Sequence, residues 1–163
     1  MFTYIRLIAL ILWIALLTGC GGGGASAPAR TTATLKLNLT GPLPAGSAIA
    51  GVGVTLTLTV DVAPQLNGLE LANGVITPSG LFAGGTQTPP VYAPTSGTIQ
   101  LALVNAAEGG ITQEGEVATI VLKLTNGVAP VIASFGLSGV SVIDTRGNPI
   151  SGMGIQLNSV TLE

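Results

Sequence analysis

Few side chains in this 163-residue chain could do chemistry, and histidine is not among them. The one cysteine is Cys20, in "LTGCGGGG". Without histidine, Ser-His-Asp and Cys-His catalysis and histidine-bearing zinc sites are excluded. Carboxylates remain. Glu114 and Glu116 flank Gly115 at the spacing that puts two side chains on one face of a strand. Paired carboxylates are the machinery of glycoside hydrolysis. The plainer reading, and the one expected, is a solvated turn that guards a strand edge with charge. In "DTRGNPI", at residues 144–150, Asp144 could open a calcium loop, but Arg146 repels a cation and no closing glutamate follows. Asp144 is expected to cap a turn instead. The glycines at 21–24 lack the lysine and the preceding strand of a phosphate loop. No catalytic residue, metal site or cofactor is expected. Phe82 and Tyr92, in "LFAGGTQTPPVYAP", are candidate ligand contacts if exposed together, as on a sugar-binding surface. The expectation is that they plug one end of the fold, because aromatics near strand ends bury most of their area. Phe135 falls on an apolar strand phase and is expected in the core.

The position of Cys20 is explained by what precedes it. Residues 7–17 are an uninterrupted apolar run behind Arg6, the one charge in that region. A membrane-spanning helix needs roughly 20 apolar residues; a secretory signal needs about 7–15, with a positive charge before them and small residues at the cut. The run fits a signal peptide over residues 1–19. Leu17-Thr18-Gly19-Cys20 resembles the lipobox of bacterial lipoproteins. That resemblance implies lipidation of the Cys20 sulfur, removal of residues 1–19 and acylation of the new amino terminus. A lone cysteine has no disulfide to form within the chain, and several acyl chains on one residue hold a protein firmly on a membrane. Gly21 rather than aspartate follows, which in the family resembles sorting to the outer membrane. The expectation is export across the inner membrane and anchoring at the outer one. Residues 20–32 form the lipidated cysteine and a Gly/Ala/Ser/Pro linker with the composition of a flexible coil.

Residues 33–163 are the size of one domain. Charged residues make up 7% of the chain, against about 25% in average proteins. Its polar surface must therefore be threonine, serine, asparagine and backbone. The balance is mildly acidic with no basic patch, which argues against nucleic acid and against electrostatic docking on anionic lipid.

The apolar period is two. Leu35, Leu37 and Leu39 alternate with polar neighbours; so do Val52, Val54, Leu56, Leu58, Val60 and Val62. Ala118, Ile120, Leu122 and Leu124 form another set, then Val131, Ala133, Phe135 and Leu137, then Val140 and Val142. Each run predicts a strand with one apolar face. Val117 and Val121 fall on the opposite phase from Ile120, which predicts either a strand covered on both sides or an exposed apolar strip. Ile155 and Leu157 are out of phase with Val160 and Leu162, which predicts a bulge near Ser159. The helical candidate "LALVNAAE", residues 101–108, continues the alternation of Ile99, so its first half is expected to be strand. Turn residues such as Gly41-Pro42, Gly109-Gly110 and Gly147-Asn148-Pro149 punctuate the runs. The fold class predicted is an all-β, two-sheet β-sandwich.

Three stretches resemble cohesins: "GVGVTLTLTVDVA" (51–63), "GGITQEGEVATIVLKL" (109–124) and "GVSVIDTRGNPI" (139–150). The resemblance implies a nine-stranded jelly roll, related to carbohydrate-binding modules, that docks another protein through a sheet face. The chain departs from cohesins in its scarcity of charge and in its Gly/Pro-rich stretch 78–94, expected to be a long loop. The functional expectation is a non-catalytic, lipid-anchored interaction or structural module of the cell envelope. Its partner would be a dockerin-like or other envelope protein, and the alternative is a carbohydrate-binding module at the cell surface.

Overall fold

The computed structural model describes residues 30–59, 71–124 and 128–163. The expected signal peptide, Cys20, most of the linker, and Val60 and Val62 lie outside the described residues. Nine strands are described: β1 Thr32–Thr40, β2 Ile49–Leu58, β3 Ile76–Pro78, β4 Thr86–Gln87, β5 Val91–Ala93, β6 Thr98–Val104, β7 Gly115–Lys123, β8 Phe135–Asp144 and β9 Gly154–Leu162. They form two sheets. One runs β3-β7-β1-β9; the other runs β4-β6-β2-β8, with β5 also paired to β6. Every pairing is antiparallel. The protein is an all-β sandwich.

The alternation explains the sandwich. Ala33, Leu35, Leu37 and Leu39 of β1 meet Val52, Val54, Leu56 and Leu58 of β2 in one core cluster. Ile99, Leu101 and Leu103 of β6 join it, as do Ala118, Ile120 and Leu122 of β7. No polar or charged residue among those described is buried. Burying such branched side chains contributes about 1.5–3 kcal/mol each, and with no buried charge none of that is offset by desolvation of ions.

Each break in the two-residue period is absorbed by a bulge. In β9, Ser159 faces Lys36 and Leu157 faces Leu37, leaving Asn158 over; this is the slip expected near Ser159. In β7, Ala118 faces Leu37 and Glu116 faces Asn38, leaving Val117 over. Two neighbours in sequence, Val117 and Ala118, are consequently both buried. The apolar strip expected outside β7 is thereby divided: Val117 turns inward, and Val121 stays 37% exposed. In β8, Ser138 faces Thr55 and Ser141 faces Gly53, so Gly139 and Val140 stand opposite Val54 alone. Gly139 has φ +59, a conformation that a residue with a Cβ adopts at a cost.

Three expectations need correction. Val131 and Ala133 do not alternate into a strand: Ile132–Ser134 is a 3-10 turn and Val131 is exposed. Pro130, one residue before, cannot donate to a ladder. Val140 is not on the apolar face with Val142, because the bulge at Gly139 leaves it outside while Val142 is buried. Residues 78–94 are not one long loop: β4 and β5 pair with β6 on either side of Pro89-Pro90. The 101–108 segment is strand to Val104. There the Asn105 side chain takes over, donating from Nδ2 to the Ile49 carbonyl at 2.7 Å and accepting from the Ala107 N–H. Such side-chain bonding competes with helix.

Phe82 is fully buried in a 3-10 turn, Gly80–Phe82. Phe82→Ala is expected to cost about 3–5 kcal/mol, whereas Val91→Ala, at an exposed position, should change stability by under about 0.5 kcal/mol. Equilibrium urea unfolding of the two variants measures the difference.

Candidate functional site

With no polar or charged residue buried among those described, candidate sites lie on the outer faces of the two sheets, and the faces differ. On the four-stranded sheet a polar network is built around Glu116. Regular alternation would place Glu116 in phase with Ala118, Ile120 and Leu122, facing the core. The bulge at Val117 rotates it outward. There Lys36 Nζ lies 2.8 Å from Glu116 Oε2. The Ser79 hydroxyl donates to Oε1 at 2.6 Å, and Thr119 donates to the same oxygen at 3.3 Å. Ser79 is in reach because the turn that follows it sits directly on β7: Gly80 has φ +55, and a Cβ there would overlap the Glu116 carbonyl.

The Lys36 hydrogen bond is the largest influence on Glu116 and lowers its pKa below the usual 4.5; the Ser79 hydrogen bond lowers it further, against a smaller opposing effect of burial. A carboxylate held this low and this well bonded is a poor general acid. Glu114 stands apart, exposed in the loop before β7. The structure thus does not bring the two acids into one catalytic pair. It also corrects the reading of Glu116 as a solvated edge guard: the residue lies on β7, an inner strand of its sheet, opposite Asn38 of β1.

Asp144 behaves as its sequence context predicts. Its Oδ1 accepts from the Arg146 and Asn148 N–H groups, both at 2.8 Å, and Oδ2 accepts from Asn148 Nδ2 at 3.3 Å. These bonds, the Asn148 N–H first, hold its pKa below the ordinary aspartate range. The carboxylate closes a turn. No cluster of three potential metal ligands occurs among the described residues.

The outer face of the five-stranded sheet is of another kind. Its cross-strand rows are Val104–Gly51–Ile143, Ala102–Gly53–Ser141, Gln100–Thr55–Ser138 and Thr98–Thr57–Gly136. None of these residues is charged. A shallow groove of about 380 Å³ runs over Gly53, Thr55, Gln100, Ala102 and Gly139, walled on one side by Thr88, Pro89 and Val91. Val91, Val104, Val140 and Ile143 expose 60%, 44%, 38% and 37% of their surface on this sheet. Small residues make most of the floor, Val91 lines one wall, and Val104, Val140 and Ile143 are exposed on the same sheet outside the lining. The arrangement suits an uncharged, shape-matched contact.

The aromatic candidates do not reach this groove. Phe82 presents no surface at all. Tyr92 pairs with the buried Ile99 and packs half-buried against the core, as does Phe135 opposite Leu58. All three serve packing. Cys20 lies outside the described residues. Sequence reasoning missed the groove because its floor is made of residues whose lack of side chain is the feature; "GVGVT" in β2 and "SGVS" in β8 were the available signals. No family model, curated protein or solved structure matches this chain.

Because Glu116 has a lowered folded pKa, its network adds stability above the usual carboxylate range and loses it as pH falls through the folded value. Lys36 is 45% exposed, so solvent screening limits the pair to no more than about 1 kcal/mol. Lys36→Met should cost that much or less at pH 7, and the difference from the parent should be smaller at pH 3 than at pH 7. Urea unfolding at the two pH values checks it.

Proposed function

We propose that this protein is a lipid-anchored, non-catalytic module of the cell envelope that docks another protein on the outer face of its five-stranded sheet. The observation that carries the reading is the contrast between the two faces. One bears the ion-pair network of Lys36, Glu116, Ser79 and Thr119; the other bears an uncharged groove walled by Val91, with Val104, Val140 and Ile143 exposed on the same sheet. Exposed apolar positions grouped on one face with a concave floor are the usual form of a contact surface. The lipobox resemblance at residues 17–20 supports anchoring through acylated Cys20. Nine described strands in two sheets are the number that the cohesin resemblance implies. A charge-free face, however, selects a partner by shape and backbone or hydroxyl hydrogen bonds, not by the charged contacts cohesins make with dockerins. The carbohydrate-binding reading is weaker, since Phe82, Tyr92 and Phe135 all turn inward and offer no stacking platform on the groove.

Two substitutions separate the halves of the proposal. Cys20→Ser should move the protein from the membrane fraction to the soluble fraction while leaving the domain folded. Ala102→Glu places a charge in the groove floor and should abolish co-purification of the partner from detergent-solubilised envelopes; Thr34→Glu, on the other sheet, should not. Capture by the parent protein should persist in 0.5 M salt, roughly, because few charges are there to screen. Capture that survives Ala102→Glu would contradict docking on this face.

A further inference from the structure

One apolar feature belongs to neither sheet face. Val131 and Ile132 are adjacent in sequence and expose 62% and 49% of their surface. Ala129 and Ala133 beside them are exposed as well. The turn that carries them is closed by Ser134, whose N–H donates to the Val131 carbonyl at 2.8 Å and whose hydroxyl accepts the Val131 N–H at 3.1 Å. Four uncharged side chains, two of them aliphatic and branched, are thus held outward on a short bonded turn.

The position of the turn in the fold gives it a meaning. It stands at the pole where the described chain begins. Thr59 N–H donates to the Ser134 carbonyl, β9 packs against the turn, and Thr31 N–H donates to the carbonyl of Glu163, the residue after β9. Leu124 N–H in turn donates to the Thr31 carbonyl at 2.8 Å. Arg30, the first described residue, precedes Thr31 directly, and ten peptide steps separate it from Cys20. Even fully extended, ten residues reach at most about 36 Å. Acylation at Cys20 would therefore tether the domain through this pole, within that reach of the bilayer.

We infer that the Val131–Ile132 turn is a second membrane contact, dipping its aliphatic side chains into the phospholipid interface and fixing the orientation of the domain. The inference rests on the acylation of Cys20 proposed above. The contact is apolar: residues 128–134 carry no charge, so it needs no anionic lipid, unlike a polybasic anchor. Insertion of about 5–10 Å, the depth usual for interfacial segments, is within reach of one protruding turn. Held this way, the sandwich stands on its pole and presents both sheet faces sideways, clear of the lipid.

Trp13, the one tryptophan, lies in the segment expected to be removed, so a single new tryptophan is a clean reporter. Ile132→Trp and, at the opposite pole, Ser151→Trp would be introduced into the full-length lipoprotein. The proteins would be purified from membranes and reconstituted into phosphatidylcholine vesicles with and without brominated acyl chains. The proposal expects bromine to quench the Ile132→Trp emission at least twofold and to leave Ser151→Trp unquenched. Hydrogen exchange on the parent protein should show slower exchange over residues 128–134 in vesicles than in detergent-free solution after cleavage in the linker. Equal quenching of the two reporters, or a blue shift at position 132 without bromine quenching, overturns the contact; the latter would mean that protein covers the turn. Mass spectrometry of the same samples distinguishes the failures. An acylated protein with an unquenched Ile132→Trp overturns this inference alone, and a chain with an unmodified Cys20 that does not float with vesicles overturns the anchoring as well.

Discussion

The inward alternation of β1 and β2 is the constraint on which the rest of the structure depends. Ala33, Leu35, Leu37 and Leu39 from one sheet close on Val52, Val54, Leu56 and Leu58 from the other, and the interior they share admits no polar residue among those described. A sheet has a strict two-residue period, so a change of phase within a strand would drive a polar side chain into that interior. The chain meets the constraint with bulges. On both sides of Leu37 a neighbouring strand carries one extra residue, Val117 in β7 and Asn158 in β9. The first of these turns Glu116 out of the core and onto Lys36. The ion pair is therefore a consequence of packing rather than a driving force for it: an exposed pair contributes little, whereas a carboxylate facing Leu37 would be costly.

Most of the architecture was legible before any coordinates. Alternation over residues 33–39, 52–58, 99–103, 118–122 and 155–162 identifies the long strands and their buried faces, and the slip near Ser159 is visible as two apolar sets out of step. What alternation cannot supply is the point at which a strand begins. Val131 and Ala133 match the phase of Phe135, yet Pro130 removes a ladder donor and the chain makes a turn first. Nor does it mark bulges whose two phases are both apolar. Val117 reads as an outward residue because its neighbour Ala118 faces in; both are buried. The pairing of β4 and β5 with β6 was hidden by Pro89-Pro90, which reads as loop although it merely separates two short edge strands.

The candidate site was much less legible. Reading for chemistry directs attention to charged and aromatic side chains, and those prove structural: Glu116 bonds within its sheet, Asp144 closes a turn, Phe82 fills the core. The surface proposed to dock a partner is assembled largely from glycine, alanine, serine and threonine on three strands, β2, β6 and β8, that are distant in sequence. Only strand register brings Gly53, Ala102 and Ser141 into one row. A sequence with 7% charged residues leaves its contact faces to shape, and shape is a property of the folded sheet. The same scarcity of charge fits the tethered module proposed above, whose anchor would supply the local concentration that long-range electrostatics otherwise provide.

The central claim is that the five-stranded face is covered in the cell while the four-stranded face is free. Thiol accessibility in intact envelopes tests it most directly, with single cysteines at Thr55 and Thr34, two half-buried outward positions on opposite sheets. Both should react with a small maleimide in the purified protein. In envelopes the account predicts that Thr55→Cys is protected several-fold and Thr34→Cys is not. Equal labelling of the two in envelopes would contradict it.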